Sequence, residues 1–365
     1  MTSVLTVNAG SSSLKLRLLD ADDALLDDVE LLAERGHVAP EDVARAVERL
    51  GEPDAVGHRI VHGGAQFTRA VRLDQDIVAA LRDLTPLAPL HQPAALAALE
   101  TVGRALPDVP AVACFDTAFH ATLPAAAATY ALPPEWRERG PVRRYGFHGL
   151  SHAYAARRAA ELLARPVDTL RAVTCHLGAG ASLAAIARGR SVDTTMGFTP
   201  TEGLVMATRS GDVDPGLLMW LVVHEGRDAQ EIADGLEHRS GLLGLAGTAD
   251  MREVLAQAGE GAAPALLARE VYVHRLRALI AAMAAAMDGL DVLVFTGGVG
   301  EASGEIRRAA ADGLGFVGVN VDARANEDAT PDAEVSADGA AVRTLVIRAR
   351  EDVEIARQVR DVLGA

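Results

Sequence analysis

The chain has 365 residues, 49% of them hydrophobic, and a formal net charge of −15. That length suits two domains, each with its own core, and the acidic balance excludes a surface for nucleic acid or an anionic membrane, since both need a basic footprint. The most apolar helical stretch, 278–287, is too short to cross a bilayer, the start Met1-Thr-Ser runs straight into a strand with no secretory leader, and Cys114 and Cys175 read as small buried hydrophobes, so a cytoplasmic protein is expected.

Residues 4–9 form an apolar run that ends in Asn8-Ala-Gly-Ser-Ser-Ser13, after which Leu14, Leu16 and Leu18 alternate with Lys15 and Arg17. A period of two is a strand, so the small-residue turn joins two strands, unlike the nucleotide loop that opens a helix. Bare N–H groups, the hydroxyl of Ser12 and the charge of Lys15 suit a small anion with several oxygens. Alone, the same turn reads first as an ordinary polar hairpin. A similar strand, turn and strand recurs at Ala172-Val-Thr-Cys-His-Leu-Gly-Ala-Gly-Ala-Ser-Leu183, which points to two related domains, each offering a turn to one phosphate chain.

An acidic turn over 20–28 leads to another strand, and Pro40-Glu41 opens a helix predicted to run to Leu50. Ala55-Val-Gly-His-Arg-Ile-Val-His-Gly-Gly64 reads as a buried strand with Arg59 inside it, met there by an anionic ligand or by a structural carboxylate. Pro86, Pro89 and Pro93 make a rigid, extended loop that fixes Leu90 and His91 before a helix from about residue 94. The strand 111–115 delivers Asp116 at its carboxyl end, where open α/β sheets hold ligand residues and where an aspartate also serves as a helix cap.

Residues 121–145 read as surface structure leading into the second domain, His148 as an exposed imidazole held in a turn, and Ser151 as the N-cap of a helix to Leu163. The irregular stretch 192–203 is too apolar for a solvent loop, and Arg209 falls in a tight turn before a helix. Another helix begins with Thr248 or Asp250 as its cap. Arg252 in its first turn opposes the dipole, answered by a mobile anion or by solvent. The helix 264–287, apolar nearly all round in its second half, is a predicted core helix. A strand over 292–295, a third glycine-rich turn at Thr296-Gly-Gly-Val-Gly300 with its helix from about Ser303, a strand over 342–347 and a last helix complete the chain.

The polar inventory is Arg59, Arg209 and Arg252 as cations, His91, His120, His148 and His176 as donors, and Asn8, Asp116 and Glu351 as acceptors or metal ligands. Neither a nucleophile elbow nor a two-histidine metal spacing on a helix occurs. Phosphoryl transfer fits this inventory, because its transition state spreads charge over three oxygens and is served by positioning and neutralisation.

Asn8-Ala-Gly-Ser-Ser-Ser-Leu-Lys15, His58-Arg-Ile-Val-His-Gly-Gly64, Leu87-Ala-Pro-Leu-His-Gln-Pro93, Phe115-Asp-Thr-Ala-Phe-His120, Tyr145-Gly-Phe-His-Gly149, Cys175-His-Leu-Gly178, Met196-Gly-Phe-Thr-Pro200 and Phe295-Thr-Gly-Gly-Val-Gly-Glu301 together resemble the acetate kinase family, in family order and over nearly the whole chain. The resemblance implies an α/β fold of two domains with duplicated ribonuclease H-like topology, as in actin and the sugar kinases, around a central cleft. Residues 1–119 plus 353–365 would form the acyl-side domain and 120–352 the nucleotide-binding one. It also implies reversible, direct transfer of the ATP γ-phosphoryl group to acetate, giving acetyl phosphate and ADP, with Mg2+ required, Mn2+ as a substitute, and a homodimer. An acceptor carboxylate with a pKa of about 4 is already ionised at pH 7, so it needs no general base, and repulsion between two anions is the obstacle.

By the same resemblance, Arg59 and Arg209 serve the transition state, His148 donates to the transferred group, and Asp116 lies near the acceptor. Val61, Leu90 and Pro200 match the pocket for the methyl group, with His91 beside it. Asn8 and Glu351 match the magnesium and phosphate positions. Ser12, Lys15, His176, Leu177, Gly178, Ala179 and Gly180 match the phosphate turns, Asp250, Met251 and Arg252 the nucleotide side, and Gly297, Gly298, Val299 and Gly300 the adenosine site. Ala179 and Ala302 replace the family's usual asparagines, and Ala349 and Arg350 its usual threonine and asparagine or aspartate, which removes side-chain contacts on the nucleotide side. Two alternatives remain. One is a propionate or butyrate kinase of the same architecture, distinguished by an apolar pocket at ~1–3 kcal/mol per methylene; the other is a non-catalytic nucleotide-dependent switch.

Overall fold

In the computed structural model, residues 3–10, 13–32, 38–89, 92–138 and 140–364 are described; Ser12, Leu90 and His91 lie outside them. The chain divides into two units, one of Met1–Ala121, Phe147–Tyr154 and Arg350–Ala365, the other of Thr122–Gly146 and Ala155–Ala349.

The first unit is built on β1 (Ser3–Ala9), β2 (Ser13–Asp20), β3 (Leu25–Leu32), β4 (Ala55–Ile60), β5 (Val71–Arg72) and β6 (Ala111–Phe115), in the order β3-β2-β1-β4-β6-β5. β1 pairs antiparallel with β2 and β2 with β3, β1, β4 and β6 run parallel, and β5 closes the edge antiparallel to β6. The terminal helix Glu351–Leu363 lays Ile355, Ala356 and Val359 on Val4, Ala55, Val112 and Cys114. Gly57 permits that approach, since a Cβ there would lie 2.4 Å from Ile355 Cγ2. The helices Pro40–Leu50 and Gln92–Ala105 supply Val43, Val47, Ala98 and Val102 to a second cluster with Leu5, Val7 and Leu16.

The second unit repeats the plan. Its strands are β7 (Arg171–Leu177), β8 (Ala181–Ala187), β9 (Arg190–Thr194), β10 (Val292–Thr296), β11 (Ala333–Glu334) and β12 (Arg343–Val346), in the order β11-β12-β10-β7-β8-β9. Read from the other edge, this is the same antiparallel trio, parallel trio and antiparallel edge strand as in the first sheet. The α/β fold with duplicated topology is therefore present, and the two similar hairpins of the sequence are its β1–β2 and β7–β8 turns. All of β10 is buried, as a parallel strand covered on both faces should be. Both cysteines are buried and free. Among the described residues no helix is long and apolar enough to cross a membrane.

Four local readings change. The proline-rich stretch expected to be extended holds a 3₁₀ turn, Thr85–Leu87, because Pro86 sits in its first positions, where a missing N–H costs nothing, and the next helix begins at Gln92. The helix expected from Ser151 runs Gly149–Leu162, because the Gly149 N–H is already engaged by the Asp116 carbonyl and the helix starts there. The third glycine turn is itself helical, Gly297–Ala302, entered through Gly297 at φ +78°, and a second helix, Gly304–Ala311, follows. The long helix Ala263–Ala285 buries one stripe, including Tyr272, Leu276, Ile280 and Met283, while Ala278, Ala282 and Ala285 are exposed. Alanines make such a helix read apolar all round, but only its larger side chains select the buried face.

Candidate active site

Because β1, β4 and β6 run parallel with Val7 opposite His58 and Ile60 opposite Phe115, their carboxyl ends bring Asn8, Arg59 and Asp116 together. Arg59 donates to Asp116 Oδ2 from Nε at 3.1 Å and from Nη2 at 2.6 Å, and its Nη1 donates to Asn8 Oδ1 at 3.0 Å. Asn8 Nδ2 in turn donates to Glu351 Oε2 at 2.8 Å, at the first residue of the terminal helix. The Arg59 side chain is 13% exposed and that of Asp116 1%. Burial alone would lower the pKa of Arg59, but the charges of Asp116 and Glu351 and the hydrogen bonds to Asp116 outweigh it and raise it. Asp116 is thus the carboxylate that meets the arginine of the apolar strand.

His148 has φ +56° and precedes Gly149, whose N–H donates to the Asp116 carbonyl at 3.0 Å. A Cβ on Gly149 would sit 2.1 Å from that oxygen, so the glycine is what lets His148 and Asp116 share one backbone junction. His148 is half-buried rather than exposed, and Val61, just beyond β4, is buried. His120 is buried, with Nε2 3.0 Å from the Phe147 carbonyl. Burial pushes His58 and His120 down to about 4, so both are neutral at pH 7. Lys15, opposite Asn8 across the hairpin, turns to Glu30 at 3.5 Å.

In the second unit the β7–β8 turn is closed by the Gly178 N–H on the Gly180 carbonyl at 3.0 Å, and the Ala179 carbonyl accepts from Ala207 N at 3.1 Å. His176 lies opposite Ser182 on β8 and Thr296 on β10, and Leu177 is buried between them. A Cβ on Gly297 would lie 3.0 Å from the Leu177 backbone, so this glycine allows the 176–180 turn and the Gly297–Ala302 helix to touch. Glu301 Oε1 accepts from Gly297 N at 3.0 Å and from Ala349 N at 2.8 Å.

Asp250 caps the helix Met251–Gly259 by accepting from Arg252 N at 2.9 Å, and it pairs with the exposed Arg252 side chain at 2.5 Å. Side-chain and backbone hydrogen bonds from Arg252 hold its carboxyl below the usual range. Met251 is buried. Arg209 differs from these paired charges. Its Nη1 donates to the Pro200 carbonyl at 3.2 Å and approaches Met206 Sδ at 3.8 Å, burial lowers its pKa, and among the described residues it makes no ion pair.

Sequence reasoning missed Arg307. It is fully buried and donates to Asn326 Oδ1 (2.8 Å), Asn326 O (2.6 Å), Gly300 O (2.9 Å) and Glu301 O (2.8 Å), gripping the end of the Gly297–Ala302 helix. The available signal was an arginine one residue after the apolar Ile306 and three before Ala310, on the face that the helix buries.

Among the described residues no three His, Cys, Asp or Glu side chains gather as a metal cage. The Glu351 carboxylate is a hard ligand that suits a magnesium ion taking most of its oxygens from water and substrate phosphates, whereas the Asn8 amide turns its nitrogen to Glu351 and its oxygen to Arg59 and would have to turn over to offer that oxygen.

Two six-stranded sheets of one plan, with an arginine, a carboxylate and an amide at the carboxyl edge of the first and glycine turns at that of the second, define a two-domain protein of sugar-kinase-like fold. The acetokinase family model matches residues 41–357. An acetate kinase of Nostoc sp. is 43% identical over 397 aligned residues, covering 97% of this chain and 98% of that one. The crystal structure of Porphyromonas gingivalis acetate kinase matches with a TM-score of 0.91 at 36% identity, covering 100% of both chains. That of a propionate kinase from Francisella tularensis matches at 0.90 and 33% identity, covering 99% of this chain and 100% of the other. The chain belongs to the acetokinase family.

Proposed function

We propose that this chain transfers the γ-phosphoryl group of ATP reversibly to acetate, giving acetyl phosphate and ADP. An acetate oxygen forms the new P–O bond as the bond to the ADP oxygen breaks, and no proton changes hands. The contact chain Asp116–Arg59–Asn8–Glu351 is the observation that supports the assignment of roles most strongly. Arg59 and Arg209 neutralise the transferred group, His148 donates to it, and Asp116 orients the Arg59 guanidinium beside the acceptor. Val61, Leu90 and Pro200 receive the methyl group, with His91 next to them. The turn of His176, Leu177, Gly178, Ala179 and Gly180 takes the nucleotide phosphates with Ser12 and Lys15. Gly297, Gly298, Val299 and Gly300 take the adenosine, and Asp250, Met251 and Arg252 lie on the nucleotide side.

Glu351 and Asn8 would hold Mg2+, or Mn2+ in its place, which when bound supplies positive charge to the phosphate oxygens. ATP as co-substrate supports a cytoplasmic location. A homodimer is supported by the helix Pro215–Val223, none of whose residues is buried, with Trp220 48% and Val223 72% exposed.

The test is hydroxamate formation from acetate, ATP, Mg2+ and hydroxylamine, abolished by EDTA and restored by excess Mg2+. No product with nucleotide binding intact would point instead to a nucleotide-dependent switch. The likeness to a propionate kinase supports a second reading of acyl choice. Comparing kcat/KM for acetate, propionate and butyrate decides it, at ~1–3 kcal/mol per methylene.

A further inference from the structure

The stretch from Thr194 to Gly203 in the second unit carries Pro200 but forms no helix or strand after β9. Three residues away from the glycine turns hold it. Arg144 Nη1 donates to the carbonyls of Thr194, Thr195 and Met196 at 3.3, 3.1 and 3.1 Å, and its Nη2 pairs with the Glu202 carboxylate. The Tyr130 hydroxyl donates to Glu202 Oε2 at 2.5 Å and accepts from the Phe198 N–H at 2.8 Å, while the Arg144 guanidinium lies 5.5 Å from the centre of the Tyr130 ring. The knot leaves no slack at Gly197. A Cβ there would fall 1.6 Å from Glu202 Oε2 and 2.2 Å from the Tyr130 oxygen, and the Gly197 carbonyl accepts from the N–H groups of Tyr145 and Gly146 at 3.0 and 3.3 Å.

From this fixed segment the Pro200 carbonyl reaches Arg209 Nη1 at 3.2 Å, the one oxygen that binds this guanidinium among the described residues. Partly burying an arginine, a glutamate and a tyrosine hydroxyl has a desolvation cost that a loop of no consequence would not justify. The knot makes the loop backbone rigid, and rigidity matters where a displacement of about 1 Å lowers turnover by about 10²-fold.

We propose that Tyr130, Arg144 and Glu202 are positioning residues for Arg209 and for the acyl-facing Pro200, so that this knot sets both turnover and the length of the acyl chain accepted. The inference rests on the phosphoryl-transfer reading of Arg209 and Pro200 above. It acts through the loop backbone: the Pro200 carbonyl binds the Arg209 guanidinium directly, and Gly203, next to Glu202, exchanges hydrogen bonds with Asp212, three residues past Arg209.

Tyr130→Phe removes one hydroxyl, and with it the bonds to Glu202 and Phe198, while keeping the ring beneath Arg144. The expected result is a kcat with acetate lower by about tenfold, a ratio of propionate to acetate kcat/KM raised at least about threefold, and a KM for ATP within about twofold of the parent. An unchanged kcat together with an unchanged acyl ratio overturns the proposal. So does a loss of affinity shared equally by ATP and acetate, which general loosening would produce. Arg209→Lys, measured alongside, separates the two readings. If it turns over like the parent, the catalytic role of Arg209 fails, and the acyl ratio of Tyr130→Phe then decides the knot's role at Pro200. Should Tyr130→Phe melt well below the parent, Glu202→Gln, which keeps an acceptor for the Tyr130 hydroxyl, is read by the same ratio and the same ATP control, with the same two overturning results.

Discussion

Arg59→Ala removes a guanidinium that makes two hydrogen bonds to Asp116 Oδ2 and one to Asn8 Oδ1. Asp116, 1% exposed, then loses the cation that pairs with it, and breaking a buried pair from one side costs about 3–5 kcal/mol. For a domain of about 150–250 residues that is a fall of about 6–20 °C in melting temperature. The chemical cost is separate. A donor aimed at charge that develops in the transition state contributes about 10²–10³ in kcat, or about 2.7–4 kcal/mol, so turnover should fall at least ~100-fold with a modest change in acetate KM. The double variant Arg59→Ala, Asp116→Ala removes both halves of the pair, so it should regain much of the lost stability and none of the lost turnover. Both tryptophans, Trp136 and Trp220, belong to the second unit, so unfolding is followed by far-ultraviolet circular dichroism and activity by hydroxamate formation. Near-parental turnover in the single variant, or a double variant no more stable than the single, refutes the reasoning.

Gly149→Ala places a methyl group 2.1 Å from the Asp116 carbonyl, and overpacking of this kind should destabilise the protein by about 1–3 kcal/mol and lower kcat as His148 and Asp116 separate; an unchanged melt and rate would show that the close approach is not needed. His58 and His120, held down to about 4 against an unfolded value of about 6.5, bind protons only in the unfolded chain within that window. Their contribution is therefore complete above about pH 6.5 and is lost as the pH falls toward 4, at about 1.4 kcal/mol per pH unit for each, and His58→Gln should flatten this acid slope in pH-dependent unfolding. An unchanged slope would mean that His58 carries no such load. Arg307→Met strips the buried carbonyls of Gly300 and Asn326, and the half-buried one of Glu301, of their donor, at about 1–3 kcal/mol for each buried group left unpaired, and should raise the KM for ATP while leaving that for acetate in place. Equal changes in both constants would argue against a role at the nucleotide turn.

Much of the fold was readable along the chain. The period of two over 13–20, the turn at Gly10, the proline that opens Pro40–Leu50 and the similar hairpin at 172–183 each reflect preferences acting over one to four residues, and they led to two related sheets. The motif residues of the site were picked out by resemblance to the acetate kinase family and not by periodicity, and of these Ser12, Leu90 and His91 lie outside the described residues. What the sequence left open was pairing. Arg59 could have met a ligand or a carboxylate, and only the register of β4 against β6, which sets Ile60 opposite Phe115, put Asp116 within reach of it. Tertiary structure alone likewise moved the helix start from Ser151 to Gly149, made the Gly297–Ala302 segment helical, and tied Arg144 to Glu202 and Arg307 to the end of that helix. The physical reason is range. Backbone preference and periodicity are written locally, whereas the partner of a buried charge is chosen by low dielectric and by strand register among groups such as residues 8, 59, 116 and 351, distant in the chain and adjacent only once it is folded.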